Sequence, residues 1–169
     1  RHGPYALGVS LGEQVLALAE LSPADRASAA LTLAQALRCC GRTDAAQVRL
    51  DEALTLARAA GDARREGATL ARVGQLDRER SRRSEAQQHL DAALAIARTT
   101  GDRATETNVR SSLGLLHREQ GRSDAARQHF AAALAIASES GDRAQEGVVL
   151  DALGLLEAEA GEIEQARGH

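Results

Sequence analysis

Tryptophan, methionine and lysine are missing from this chain, and Tyr5 and Phe130 are its only aromatic residues. A sheet protein draws on aromatics, Val, Ile and Thr in short alternating runs, and such runs do not occur. Pro4 and Pro23 are the only prolines, both near the start, so no helix breaker of that kind interrupts the rest. Ala, Leu, Arg and Glu dominate instead, and these form helices at low entropic cost. Absence and abundance point the same way, to an all-α chain.

Other scarcities bound the function. The net charge is only -3, with signs mixed along the sequence, whereas a general nucleic-acid binder carries a strong basic excess. Every basic residue is Arg, and a Lys-free chain rich in Ala, Arg and Gly reads as the product of a GC-rich, bacterial genome. No apolar run approaches the roughly 20 residues that cross a bilayer, and no charged-then-apolar leader opens the chain. The expected location is the cytoplasm, with neither membrane nor nucleic acid as partner. The two cysteines, Cys39 and Cys40, are neighbours near a predicted helix end. Adjacent helical cysteines reach disulfide geometry with difficulty, so they read as small, semi-buried thiols in a reducing compartment. With no Met at its start, and with 161–169 stopping inside an expected helix, the chain reads as a piece of a longer protein.

What the sequence does have is a repeat. Gly61-Asp62, Gly101-Asp102 and Gly141-Asp142 stand 40 residues apart. Val73-Gly74, Leu113-Gly114 and Leu153-Gly154 keep the same step, with Leu33-Ala34 in the first copy. So do Ala46, Ala86, Ala126 and Ala166, and so do Leu50, Leu90 and Phe130. Ala53-Leu54, Ala93-Leu94 and Ala133-Leu134 add a further register, followed by Leu56, Ile96 and Ile136. Inside each copy the apolar spacing is helical, as in Leu70, Val73 and Leu76. Gly41, Gly121 and Gly161, with Ser81 in the second copy, divide each copy into two helices as C-terminal caps. The Asp after each inter-repeat Gly is placed to cap the next helix. Helices are predicted near 23–40, 44–60, 63–80, 84–100, 103–120, 124–140 and 143–160. Ser22-Pro23-Ala24-Asp25 is a capping box with Pro at the first helical position. The segment 6–20, with Leu16-Ala17 in register with Leu56-Ala57, reads as the second helix of a cut repeat.

Two stretches carry a family signature, Leu113-Gly114-Leu-Leu-His117 followed by Ala126-Arg-Gln-His-Phe130. Their weaker copy is Val73-Gly74-Gln-Leu-Asp77 followed by Ala86-Gln-Gln-His-Leu90. At these residues the chain resembles the tetratricopeptide repeat family over roughly 23–169. The period of 40 resembles the longer variant found in bacterial regulatory ATPases, kinase-linked arrays and Leu-Gly-Asn-type scaffolds. The aromatic that ends the first motif is replaced by Asp77, His117 and Glu157. The resemblance implies a right-handed superhelical solenoid of antiparallel helix pairs, a single domain over 1–169. Its repeats would be 23–60, 63–100 and 103–140, with 143–169 a truncated copy.

The resemblance also implies a concave face, lined by the first helix of each pair, that holds a protein or peptide segment. Positions flanking the Leu-Gly pair, where some members carry backbone-gripping Asn, hold Arg72, Gln75 and Ser112 here, and Asn108 is the only Asn in these first helices. Arg38, Arg78 and Arg118 recur at one register near the end of the first helix, and Arg42, Arg82 and Arg122 in the turn after it. Such rows suit the carboxylates of an acidic partner. They equally suit helix C-termini, where a cation offsets the dipole. At about 10 Å in water, like charges repel by only about 0.4 kcal/mol, so the rows persist without a ligand. His89 and His129 share a register too, but no Cys or paired carboxylate completes a metal site, and a hydrogen-bonded role is expected. His117 is expected to fill a partly buried slot.

No phosphate loop, nucleophile elbow, His-Glu-x-x-His or Cys-x-x-Cys occurs, so neither catalysis nor a cofactor is expected. The leading expectation is a protein-interaction module whose partner-binding residues are Arg38, Arg78, Arg118, Arg72, Gln75, Asn108 and Ser112. The alternative is a structural, self-associating or sensor arm of a larger regulatory ATPase, kinase or transcription factor. In that case the exposed repeat ends join copies into a homo-oligomer.

Overall fold

A computed structural model describes residues 4–18 and 20–167. All regular structure among them is α-helical. The helices are α1 (Pro4–Leu16), α2 (Pro23–Cys39), α3 (Thr43–Ala59), α4 (Ala63–Glu79), α5 (Arg83–Thr100), α6 (Arg103–Glu119), α7 (Ser123–Ser140) and α8 (Arg143–Arg167). From α2 to α7 each lies within a residue of the predicted span. The chain divides into two compact units, one running to Ile96 and one from Ala97.

The turns explain that agreement. Gly41 and Gly121 adopt φ of 73° and 71°, the left-handed region that an L side chain resists. Arg42 N–H then bonds Leu37 O at 2.9 Å, and Arg122 N–H bonds His117 O at 2.9 Å, closing each helix in a Schellman turn. Ser81 keeps the same conformation at φ 60°, at a cost of roughly 1 kcal/mol that the glycines avoid. Between repeats the Asp has two tasks. Asp62 N–H bonds Ala57 O to end α3, while its carboxylate accepts Arg65 N–H to open α4. Asp102 and Asp142 repeat both contacts, at Ala97 O and Thr105 N–H, and at Ala137 O and Gln145 N–H.

At the start of α2, Ser22 Oγ accepts Asp25 N–H at 3.1 Å and its hydroxyl donates to Asp25 Oδ2 at 2.6 Å. Helix α1 stops at Leu16, earlier than the predicted residue 20. The Arg26 guanidinium donates to the carbonyls of Leu16 and Leu18, both at 3.3 Å, and so satisfies the freed C-terminal acceptors.

In the first unit, α1 packs on α2, α2 on α3 and α3 on α4. Val9, Leu33, Leu37, Leu50, Val73 and Leu76 form the core, with Ala34 and Ala46 between them. In the second unit, Phe130, Val149 and Leu156 join Ala126 and Ala133 between α7 and α8. Small residues set the approach within each pair. A Cβ on Gly74 would meet Leu90 Cγ at 2.7 Å, and one on Gly114 would meet the fully buried Phe130 ring at 2.5 Å.

Two expectations are corrected here. Cys39 and Cys40 are exposed rather than semi-buried. They fall just past buried Leu37, at registers occupied by Glu79, Glu119 and Glu159 and by Arg80 and Gln120 in other copies. Gly161 is not a turn: α8 continues through it to Arg167. The reversals at Ser81 and Gly121 are held by second helices packed on Gly74 and Gly114. Among the described residues a Cβ on Gly154 would meet nothing within 4 Å, so no second helix packs there. The Ala166 side chain, part of one sequence register, lies outside the described residues, as do residues 168–169.

The contrast between the two glycines is measurable. Overpacking costs about 1–3 kcal/mol, more than the roughly 1 kcal/mol of helix propensity gained on replacing Gly by Ala. Gly114→Ala lowers the midpoint of urea unfolding, whereas Gly154→Ala raises it slightly.

Candidate functional site

The slot where the repeat signature has its aromatic is filled by polar pairs joining first and second helices. Asp77, buried on α4, accepts from His89 Nδ1 at 2.7 Å and from Arg82 at 2.6 Å. On α6, buried His117 stacks on His129, with ring centroids 5.1 Å apart and planes at 21°. On α8, Glu157 takes the Arg127 guanidinium in a two-pronged contact, Nε to Oε1 at 2.8 Å and Nη2 to Oε2 at 3.3 Å. The Arg127 bond holds the Glu157 carboxyl below its ordinary range, and Glu157 raises Arg127 in turn. His89 thus has the hydrogen-bonded role expected of it, and His117 the buried one. Among the described residues, no three His, Cys, Asp or Glu side chains gather in a metal-binding cluster.

The arginine rows fall mainly on carboxylates of the chain itself. Arg38, at the end of α2, pairs with Glu79 at the end of α4. Arg118 approaches Glu159 at 4.0 Å in the same relation, 41 residues on. Arg42 lies 3.8 Å from Glu13, and Arg122 donates to Gln120. Arg78 stands half-buried in the last turn of α4, with half-buried Gln75 one turn earlier. On α6, Asn108 is half-buried and Ser112 is buried, its hydroxyl donating to Asn108 O at 3.0 Å.

Arg72 differs. It sits half-buried on α4 and donates through Nη1 to Gln35 Oε1 on α2; among the described residues no carboxylate pairs with it. Burial, and then the nearby Arg38 charge, lower its pKa from the ordinary guanidinium value. Beside it opens a cavity of about 320 Å³ lined by Tyr5, Leu31, Thr32, Gln35, Ala36 and Arg72. The sequence pointed to Arg72 but not to Gln35 or Tyr5. Gln35 had a signal, since it shares the register of Gln75.

A second set of contacts went unread. Arg58 Nε bonds Glu66 at 2.8 Å, Arg98 lies 3.5 Å from Glu106, and Ser138 Oγ donates to Glu146 at 2.5 Å. Each joins the last turn of one helix to the first turn of the next. Glu106 is buried and also receives Arg110 through Nε at 2.9 Å and Nη2 at 2.8 Å. Its signal was the 40-residue series Glu66, Glu106 and Glu146.

Helix pairs that meet through small residues and Gly-Asp turns define an all-α helical repeat. Residues 105–169 match the tetratricopeptide repeat family model. Among solved structures the chain is similar to BtubC (BKLC) from P. vanneervenii, at 20% identity and a TM-score of 0.69. That match covers 98% of this chain and 72% of the other. It is also similar to a Podosopora anserina putative kinesin light chain with nearly identical TPR-like repeats, at 16% identity and a TM-score of 0.64, covering 94% and 89%. No curated protein matches by sequence. No helix among the described residues is long and apolar enough to cross a membrane.

The Arg127–Glu157 contact sets a pH dependence. Because the folded carboxyl titrates lower than the unfolded one, its share of stability is present above the ordinary carboxyl range. That share is lost as pH falls through the lowered value. Following the Glu157 side-chain carbon by NMR gives a midpoint below the ordinary glutamate range, and Arg127→Gln returns it upward.

Proposed function

We propose that this chain holds a segment of another protein along the polar face that the first helices present within each unit. The observation carrying this reading is the polar character of that face. Arg72, Gln75 and Arg78 lie along α4 and Asn108 along α6, all half-buried and so part open to a ligand. Arg38 lies on α2 of the first unit and Arg118 and Ser112 on α6 of the second, the two arginines set by Glu79 and Glu159. Half-buried polar groups on rigid helices are ordered before a partner arrives, which lowers the entropic cost of binding.

Peptides selected from a random display library on the immobilised chain test the proposal. Retention drops on a variant with Arg78→Glu and Asn108→Ala that still melts as a helical protein. Equal retention on both proteins places binding elsewhere.

A self-associating role has its own support. Leu7, Leu11, Val15 and Leu18 form an exposed apolar stripe on and just beyond α1, opposite the side that packs on α2, and a helix apolar on two faces is normally covered on both. If copies join there, the mass measured by light scattering rises with concentration and Leu11→Glu abolishes the rise. A constant mass rejects this second role.

A further inference from the structure

The junction of α2 and α4 is closed by a polar contact, Gln35 with Arg72. The same two registers at the junction of α6 and α8 hold Leu115 and Ala152, which pack against the apolar core of the second unit. The backbone geometry of the repeat therefore needs no guanidinium at this place. A buried or half-buried cation is costly unless an acceptor offsets its lost hydration. Gln35 offers one neutral oxygen, to Nη1 alone. The Nε–H and one Nη2–H point in parallel, the fork that a carboxylate takes with two bonds. Elsewhere in this chain a carboxylate fills the fork, Arg127 meeting both oxygens of Glu157 and Arg110 placing its two bonds on one oxygen of Glu106. At Arg72 it is not.

The surroundings narrow the ligand. The cavity beside Arg72 has an apolar part, Leu31 and Ala36, and a polar part, Thr32, Gln35 and the exposed ring of Tyr5. Arg38 lies close enough for its charge to act on Arg72, but its own partner is Glu79. One open cation with apolar flanks fits a single carboxylate carried on a short aliphatic stem. A polyanion would find no row of open cations here, and the chain as a whole is negative.

We infer that the cavity between α1, α2 and α4 is a carboxylate-binding site, in which Arg72, steadied by Gln35, receives a glutamate or aspartate side chain of an acidic peptide. This rests on the proposed binding of a partner segment by the first-helix face and assigns that segment its chemistry. Leu31 and Ala36 form the apolar wall of the site, and Tyr5 its outer rim.

The test uses the whole chain and a capped hexaglutamate peptide, with capped hexaglutamine as control. Binding is followed by fluorescence anisotropy and by the arginine Nε–Hε signals in NMR. The expected result is saturable binding of hexaglutamate alone, with the Arg72 Nε–Hε signal moving. Arg72→Leu, which removes the guanidinium and leaves an apolar side chain there, weakens binding about ten-fold or more. Arg143→Leu, at an exposed arginine of the second unit, leaves it unchanged. The site is refuted if Arg72→Leu binds hexaglutamate as wild type does, if hexaglutamine binds equally well, or if hexaglutamate fails to bind at millimolar concentration. Should that happen while library peptides still depend on Arg78 and Asn108, the first-helix face remains the binding surface and only its carboxylate chemistry falls. Loss of both rejects the broader reading as well.

Discussion

The repeat depends on the turn in which glycine precedes aspartate. One residue ends a helix and begins the next: the Asp62 amide closes α3 on Ala57 O while its carboxylate opens α4 at Arg65 N–H. Both bonds need the chain to reverse within one residue, and the left-handed Gly61 at φ 63° supplies that reversal. Because the same two bonds recur at Asp102 and Asp142, successive first helices start 40 residues apart. Every other register in the chain inherits its spacing from this turn. Displacing the aspartate by a residue would leave four helical N–H groups and the preceding carbonyls without these partners, and the pairs on either side would lose alignment.

Within a pair a different constraint operates. In two pairs the second helix approaches where the first presents no Cβ, at Gly74 and Gly114, while α2 meets α3 with the small Ala34 at that register. The large residue opposite, Leu90 or Phe130, fills the space and is fully buried. With so few aromatics, the core is built from many Ala–Leu contacts plus this one close fit per pair. The polar pair Asp77–His89 and the stacked His117 and His129 then join the two helices of a pair where the family signature would place an aromatic ring, while Arg127–Glu157 joins α7 to the first helix of the next copy.

Much of this was legible because it is local. Caps, turn glycines and apolar periodicity each act within a few residues, so α2 to α7 could be placed from sequence. What lay beyond reach was partner choice across the fold. The arginine rows looked like a docking strip because register gives a residue's height along a helix but not what faces it from the next one. Arg38 meets Glu79, and Arg118 meets Glu159, one repeat and one residue later; that offset is visible in the sequence only after the packing is known. Cys39 and Cys40 were misplaced inward for the opposite reason. Their chemistry suggested burial, while the glutamates at the register of Cys39 in the other copies already indicated solvent. Gly161 was read as a turn from its register, although a reversal also needs a packed second helix, and α8 has none on Gly154.

A repeat with a fixed backbone expresses individuality only where side chains depart from register. At the junction between alternate first helices, the second unit uses Leu115 and Ala152, which contribute apolar burial and need no further partner. The first unit places Gln35 and Arg72 at the same positions, and the half-buried guanidinium finds one neutral acceptor. The difference is not imposed by the turn, by the close glycine contacts or by the period, all of which the two units share. It lowers what the junction can contribute to stability, since a desolvated cation with a single neutral bond gains less than a packed leucine. A position that sacrifices stability without serving the backbone is where recognition is most economically built. The electrostatic field of Arg72 acts from a rigid helix, next to a cavity and beside an arginine already set by its own glutamate. A ligand carboxylate arriving there therefore finds its binding partner already oriented.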